Sequence, residues 1–140
     1  MAKEFVVDNS VVMSWCFQDE VNSYADNVLG CLAESSAFVP SIWPLEVVNV
    51  LLVAERRKFL KEADSIQFIR LLLKLPIRIE YQSPEAIMKD VMWLARAHGL
   101  SSYDASYLDL AMKKNLPLAT LEKKLKKAAK AVNVQLFRAD

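Results

Sequence analysis

The sequence predicts an α/β protein in which helices cover both faces of a mainly parallel sheet, a three-layer α/β/α sandwich. Short apolar segments alternate with longer segments of helical period, which is typical of strand–helix–strand units. The first segment, residues 5–8, is apolar up to its last position, as expected for a strand buried on both faces. With 140 residues, 54% of them hydrophobic, the chain is predicted to form a single domain, residues 1–140.

Each element follows from its own local signals. Pro44 stands in the first turn of one helix, while Ser83, Pro84 and Gly99 supply the cap, first position and stop of another. Strands are expected at residues 5–8, 37–40, 77–81, 116–120 and 134–137. Helices are expected at residues 21–34, 43–58, 62–74, 83–99, 102–115 and 122–131.

Composition and charge exclude several classes of protein. A net charge of +1 argues against a uniformly cationic nucleic-acid binder, so an anionic partner would have to meet a local patch. With two glycines the chain has no glycine-rich phosphate loop. The start lacks the pattern of a signal peptide, and Pro40, Pro44 and Glu46 interrupt the most apolar stretch. We therefore expect a cytosolic protein with no membrane span.

Four acidic residues stand where a ligand site of such a fold would lie. Asp8 ends the first strand and Glu122 follows the fourth, and open parallel sheets bind ligands at the carboxyl ends of their strands. Glu46 interrupts an apolar helix that is expected to be largely buried, and Asp104 opens another helix. Neither Glu46 nor Asp104 has a Lys or Arg within four residues, so local ion pairs do not explain them.

Each acid also has a purely structural interpretation. Asp8 would cap the helix that follows it, and Asp104 and Glu122 would be first-turn acids, with Thr120 as the cap before Glu122. Taken together, the four are better explained by one cation site, because clustered carboxylates repel and hard cations take oxygen ligands. The expected cofactor is Mg²⁺ or Mn²⁺.

The chain resembles the PIN-domain ribonucleases, and specifically the VapC-type toxins. The resemblance rests on three segments in the family's order: FVVDNSVVMSWCFQDE, PSIWPLEVVNVL and LSSYDASYLDLAMKKNLPLATLEKKL. It places the family's metal-binding acids at Asp8, Glu46 and Asp104. The fourth catalytic acid, usually an aspartate, falls on Glu122, whose longer side chain is a departure from the pattern. Asp109 is a candidate to replace Glu122, but it is five positions from Asp104 and therefore lies on a different face of the same helix.

The residues beside these acids are expected to support them. By the same resemblance, Ser10 is the hydroxyl after the first acid and Thr120 the hydroxyl before the last. Ser10 or Asn9 would orient Asp8 or a bound water. A lysine-rich segment follows Glu122 and is expected either to bind the RNA backbone or only to solvate its helix. Its candidate RNA-binding residues are Lys123, Lys124, Lys126 and Lys127.

The resemblance also implies an activity and partners. The activity is metal-dependent cleavage of RNA by an endoribonuclease, the toxin of a toxin–antitoxin pair. The partners are a homodimer mate and an antitoxin that lays a helix in an apolar groove, expected around Val47, Val50, Leu51, Phe68 and Leu72. A PIN-like module that binds RNA or protein without cutting remains the alternative, and the glutamate at position 122 supports it.

Overall fold

The computed structural model describes residues 3–17 and 22–140. Its strands are β1 (Glu4–Val7), β2 (Ser36–Pro40), β3 (Ile77–Glu80) and β4 (Leu118–Ala119). Its helices are α1 (Asn9–Ser14), α2 (Ser23–Cys31), α3 (Trp43–Arg56), α4 (Glu62–Lys74), α5 (Pro84–Ala86), α6 (Met92–His98), α7 (Ser102–Lys114) and α8 (Lys123–Ala131). A π-helical turn, Ile87–Val91, joins α5 to α6.

The four strands form one parallel sheet in the order β3-β2-β1-β4, with helices packed against it. The predicted fold class is therefore confirmed. Strand β1 lies inside the sheet, and its Phe5, Val6 and Val7 are completely buried. This is why the segment shows no polar alternation: helices cover both of its faces.

The order of the strands produces a switch point beside β1. The chain passes from β1 to β2 on one side, whereas β4 pairs with β1 on the other, with Val7 opposite Ala119. Connections that leave neighbouring strands in opposite directions open a crevice at the carboxyl ends of those strands. Asp8 and Thr120 directly follow β1 and β4, so both lie at this crevice.

Several predicted elements differ in extent from the structure. The strand expected at 116–120 is reduced to Leu118–Ala119, and the π-helical turn divides the helix expected at 83–99. The strand expected at residues 134–137 is reduced to a single bridge between Leu118 and Leu136, because β4 offers only two residues for pairing. The helix expected at 21–34 is shorter, Ser23–Cys31, and its predicted first residue lies outside the described part of the chain.

Helix α3 is less buried than its composition predicts. Val47 and Leu51 pack into the core, but Leu45, Val48 and Leu52 are exposed. One four-stranded sheet can cover only one side of a helix, so the other apolar side faces outward. Of the five residues around which the groove was predicted, Val47, Leu51, Phe68 and Leu72 are buried in the core, whereas Val50 is only partly buried. None of the helices in the described ranges is long and apolar enough to cross a membrane.

Candidate active site

Asp8 is a buried carboxylate at the switch point. Its side chain is 2% exposed and caps α1, accepting hydrogen bonds from the backbone N–H groups of Ser10 (3.1 Å) and Val11 (3.4 Å) at Oδ1. The structural interpretation of Asp8 as a helix cap is therefore confirmed. The cap does not exclude a ligand, because Oδ2 accepts only one hydrogen bond in the described structure, from Thr120, and a carboxylate oxygen has two acceptor positions.

Two hydroxyl groups hold Asp8, one from α1 and one from the residue that directly follows β4. Ser10 Oγ donates to Asp8 Oδ1 over 2.5 Å and accepts from the backbone N–H of Leu121. Thr120 Oγ1 donates to Asp8 Oδ2 over 2.6 Å and accepts from the backbone N–H of Glu122. Each hydroxyl therefore donates a hydrogen bond to Asp8 and accepts one from a backbone N–H group in the β4–α8 connection. The carboxylate is fixed in place by both strand ends.

Asn9, predicted to orient Asp8 or a bound water, makes no hydrogen bond to Asp8. Asn9 is buried, and among the described residues its Oδ1 atom has no hydrogen-bond partner. The hydroxyl of Ser10 takes the orienting position that was expected of Ser10 or Asn9.

Burial raises the pKa of Asp8 from 3.8 to about 6. The hydrogen bonds from Ser10, Thr120 and the Val11 backbone oppose this shift, and the nearby charge of Asp104 adds to it. Desolvation is the largest cause because it penalises the charged form of a carboxyl group that has almost no contact with water. The site thus favours whatever neutralises Asp8, whether a proton or a cation.

Asp104 lies in the first turn of α7, after the cap residue Ser101, whose Oγ accepts from the backbone N–H of Asp104. Burial raises the pKa of Asp104, the charge of Glu122 raises it further, and the bond with Ser101 opposes the change. Glu122 itself is the exposed cap residue of α8 and makes no side-chain capping bond. The charge of Asp104 therefore interacts with two acids outside α7: Asp8, which follows β1, and Glu122, which precedes α8.

Glu46 stands in the first turn of α3 and is half-buried. The hydroxyl of Tyr107 donates to its Oε1 over 2.6 Å. Burial raises the pKa of Glu46, the Tyr107 bond opposes this shift, and the charge of Asp104 adds to it. Tyr107 is the partner that a carboxylate on an apolar helix requires.

Sequence reasoning did not single out Tyr107. It is buried, and burial together with Glu46, Asp8 and Asp104 raises the pKa of its hydroxyl. Its spacing from Asp104 was a usable signal, because residues three apart on a helix lie on the same side.

Asp8, Glu46, Asp104 and Glu122 thus form one electrostatically linked set, which we call the acid group. Within residues 3–17 and 22–140, no three His, Cys, Asp or Glu side chains stand together as a finished metal site. Asp109 belongs elsewhere: it bonds to Lys113 (3.0 Å) and Gln82 (3.2 Å), as its different helix face predicts.

The four candidate RNA-binding lysines lie on α8, directly after Glu122. Lys123, Lys124 and Lys127 are exposed, and Lys126 is partly buried. Leu125, Ala128 and Ala129 form the buried side of the same helix. The helix therefore presents positive charge outward from a position beside the acid group.

A parallel α/β sandwich with acidic side chains at its switch point is the architecture of the PIN proteins. The PIN domain model matches residues 5–131, and the chain belongs to this family.

Individual relatives agree with this assignment. The chain is 28% identical over 122 residues to Ribonuclease VapC3 of Pyrobaculum aerophilum, spanning 87% of this chain and 92% of the relative. A crystal structure from the same organism has a TM-score of 0.69 at 22% identity, covering 91% of this chain and 87% of that one. VapBC2 of Rickettsia felis, bound to a DNA fragment from its promoter, has a TM-score of 0.68 at 15% identity over 96% and 97%. At these identities the structural likenesses support the fold.

Proposed function

We propose that this protein is a metal-dependent endoribonuclease and the toxin of a toxin–antitoxin pair. The observation that carries the proposal is Asp8, a buried carboxylate at the switch point whose pKa is raised in part by the charge of Asp104. Asp104 in turn interacts electrostatically with Glu46 and Glu122. The names of its relatives support the same function, since one of them is a ribonuclease. Another is a toxin–antitoxin complex from Klebsiella pneumoniae, which has a TM-score of 0.64 at 17% identity and covers 97% of this chain and 98% of that one. Such a ribonuclease would act in the cytosol, where its RNA is.

The acid group fits a divalent cation in its chemistry. Every donor is a carboxylate oxygen, the ligand type of Mg²⁺ and Mn²⁺, and Asp8 Oδ2 retains an acceptor position. Asp8, Glu46 and Asp104 would hold the cation, with Glu122 at the outer edge. Because no three acids of the described ranges form a finished metal site, binding would have to bring Glu46 and Asp104 toward the fixed carboxylate of Asp8.

The chain's own residues would orient the reaction. A bound cation would supply charge stabilisation at the phosphate and a more acidic water. Ser10 and Thr120 keep Asp8 in one orientation, and Tyr107 does the same for Glu46. The α8 lysines would neutralise phosphates on either side of the bond that is cut. The expected products carry 5′-phosphate and 3′-hydroxyl ends, as the family resemblance implies.

An apolar groove suits the antitoxin. Phe17 and Phe59 line two adjoining cavities of about 580 and 390 Å³, together with Val53 on α3 and Leu71 on α4. Phe59 is 73% exposed, so a partner that buried it would remove much apolar surface from water. We propose that an antitoxin helix lies in this groove.

A second apolar surface suits a homodimer. Met88 and Met92 lie one turn apart on the π-turn and α6, and Trp93 beside them is 64% exposed. We call Met88, Met92 and Trp93 the α6 face. Exposed clusters of this kind mark protein interfaces, and we propose that two copies meet there.

The alternative function is a PIN-like module that binds RNA or protein without cutting it. Two observations favour it: the glutamate at position 122, and the lack of a finished metal site among the described residues. It predicts RNA binding with no metal-dependent products.

Cleavage of a mixed RNA pool tests the proposal. The purified protein should cut RNA with Mg²⁺ or Mn²⁺ and not with EDTA, and end mapping should find 5′-phosphates. Asp104→Asn should abolish cleavage while the protein stays folded. Asp26→Asn, which removes an exposed carboxylate on α2 outside the acid group, is the matched control and should cut normally. Cleavage by Asp104→Asn at the wild-type rate would refute the assignment.

A further inference from the structure

A small cavity adjoins the acid group. It has a volume of about 320 Å³ and lies between α3 and α7. Its walls combine apolar side chains, one amide, one carboxylate and one aromatic ring: Ile42, Leu45, Glu46, Asn49, Val50 and Tyr103. Glu46 belongs to both the cavity and the acid group, so anything in the cavity lies next to the place where the proposed chemistry occurs.

Tyr103 is the aromatic wall of this cavity. It directly precedes Asp104 in the first turn of α7, and its side chain is 54% exposed. The neighbouring Tyr107 is buried against Glu46, so the core of the protein does not need the ring of Tyr103 for packing there. A half-exposed aromatic ring beside an acid group offers a flat, apolar surface to a ligand.

The remaining walls complement a planar heterocycle. Leu45, 67% exposed, and Ile42 provide apolar contact, and the exposed Asn49 carries both a donor and an acceptor on its amide. The volume lies at the lower end of ligand pockets, which suits one small planar group better than a helix or a loop. Nucleobases combine a flat face with an edge of donors and acceptors, and proteins recognise them by stacking and by hydrogen bonds to that edge.

We propose that this cavity is a nucleobase pocket, in which one unpaired base of single-stranded RNA stacks on Tyr103 with its edge toward Asn49. The inference rests on the proposed ribonuclease function and adds a specificity element to it. The base would belong to a nucleotide next to the bond that is cut, because Glu46 lines both places. A base inside a duplex is stacked and paired, so the pocket selects single strands and loops.

The test measures RNA binding separately from cleavage. The probe is a single-stranded RNA oligonucleotide that the wild type cuts, or any unstructured oligonucleotide if none is cut, bound in Ca²⁺ and compared with copies that carry one abasic nucleotide at each position in turn. Tyr103→Leu removes the ring and Tyr103→Phe keeps it. Tyr81→Leu, which replaces another exposed tyrosine outside the cavity, is the matched control. Thermal midpoints check that each variant is folded, and sedimentation reports its oligomeric state.

Tyr103→Leu should weaken binding roughly 5- to 150-fold, the value of one base stacked on an aromatic ring. Tyr103→Phe and Tyr81→Leu should bind as the wild type does. An abasic nucleotide at one position should weaken RNA binding by the wild type by a similar factor. The same abasic nucleotide should hardly change RNA binding by Tyr103→Leu, because that variant has already lost the contact.

The outcomes separate this inference from the proposed function. If metal-dependent cleavage occurs but Tyr103→Leu binds every oligonucleotide like the wild type, the nucleobase pocket is refuted and the ribonuclease stands. If nothing is cut but the abasic and Tyr103 effects coincide, the pocket stands and the ribonuclease falls. A wild type that binds no single-stranded RNA refutes the pocket, as does a Tyr103→Leu variant that changes only the oligomeric state, because the cavity would then be a protein interface.

Discussion

Asp8 caps α1, and its geometry also leaves room for the proposed cation-binding role that sequence reasoning treated as the alternative. The geometry lets it do both, because Oδ1 accepts the bonds that cap α1 while Oδ2 accepts a single one, from Thr120. A capping carboxylate normally sits in water, where its charge costs little. Here burial raises its pKa, although the hydrogen bonds from Ser10 and Thr120 oppose the shift.

The raised pKa predicts a loss of stability with increasing pH. The folded protein holds the Asp8 proton more tightly than the unfolded chain, so the free energy of unfolding should fall between pH 4 and pH 6 and not change further from this cause. With about 1.4 kcal/mol for each pKa unit, the loss is at most about 3 kcal/mol. Asp8→Asn keeps an acceptor for the α1 cap and removes the charge, so its stability should decline less over this range and should exceed that of the wild type at pH 7. The decline that remains comes from the raised pKa values of Glu46 and Asp104.

Urea unfolding in metal-free buffer at pH 4, 5, 6 and 7 measures this effect. Asp26→Asn keeps the buried Asp8 carboxylate and should reproduce the wild-type pH dependence. Equal slopes for the wild type and Asp8→Asn would contradict the prediction.

Tyr107 is predicted to position Glu46 for the cation. Tyr107→Phe removes only the hydroxyl that donates to Glu46 Oε1. A ligand that binds only the folded state raises the thermal midpoint, so Mn²⁺ should stabilise the wild type clearly and Tyr107→Phe less. In a Glu46→Gln background the Tyr107 substitution should have no further effect on the Mn²⁺ shift, because the residue acts through Glu46.

Tyr24→Phe is the matched control for this experiment. Its hydroxyl donates to the backbone carbonyl of Phe137 over 2.7 Å and not to a carboxylate of the acid group, although the charge of Asp8 contributes to the raised pKa of this hydroxyl. Losing that bond should cost about 1 kcal/mol of stability and leave the Mn²⁺ shift unchanged. If both tyrosine variants lose the shift equally, Tyr107 has only a structural role.

At the scale of elements, α8 illustrates how an ordinary amphipathic helix can serve a site. Leu125, Ala128 and Ala129 attach it to the core, which leaves its lysines facing outward. Its first residue follows Glu122, so the positive charge begins where the acid group ends. Either role proposed for these lysines, phosphate binding or solvation, is compatible with this burial pattern, and salt dependence distinguishes them.

The double variant Lys123→Gln, Lys127→Gln should bind RNA with a weaker dependence on salt. On a single strand each lost phosphate contact reduces the logarithmic salt slope by about 0.7, so the pair should reduce it by about 1.4. The preference among RNA sequences should not change, because phosphate contacts carry no base information. Affinities in Ca²⁺ at several KCl concentrations measure the slope.

Lys58→Gln, Lys74→Gln is the control pair, since both lysines are exposed and neither lies on α8. It should keep the wild-type slope. The solvation hypothesis instead predicts that the α8 pair also keeps it.

At the scale of the whole molecule, the described part of the chain leaves apolar side chains exposed on several elements, and two of these surfaces are the proposed interfaces. The groove at Phe59 is formed by α3, α4 and the turn between them, whereas the α6 face lies on the π-turn and α6. A 140-residue domain with one four-stranded sheet cannot cover all of its helices. Two such surfaces would allow the proposed second copy and the proposed antitoxin to bind at the same time.

Charge substitutions should separate these two partners. Trp93→Arg should convert the homodimer to monomers, because it places a charge within the proposed interface, and it should still bind the antitoxin. Phe59→Arg should remain dimeric and lose the antitoxin. Light scattering after gel filtration, with and without the antitoxin, measures both, and the reverse pattern would exchange the two assignments.

The sequence by itself determined the parallel α/β architecture and the positions of the acids. Strand β1 was predictable because a strand buried on both faces has no polar alternation, and Asp8 stood out because a carboxylate ended it. Glu46 was predictable as a residue that needs a partner, since no cation lies near it along the chain. These features depend on local composition and period.

Only the tertiary structure decided which groups meet. Three contacts join residues from different elements: Tyr107 bonds Glu46, Thr120 bonds Asp8, and Tyr103 lines one cavity with Asn49. The outward apolar side of α3 and the reduced final strand were likewise decided by how much surface a four-stranded sheet can cover and pair. Local periodicity contains no information about those contacts, because they depend on the order of the strands and on the packing of helices between them.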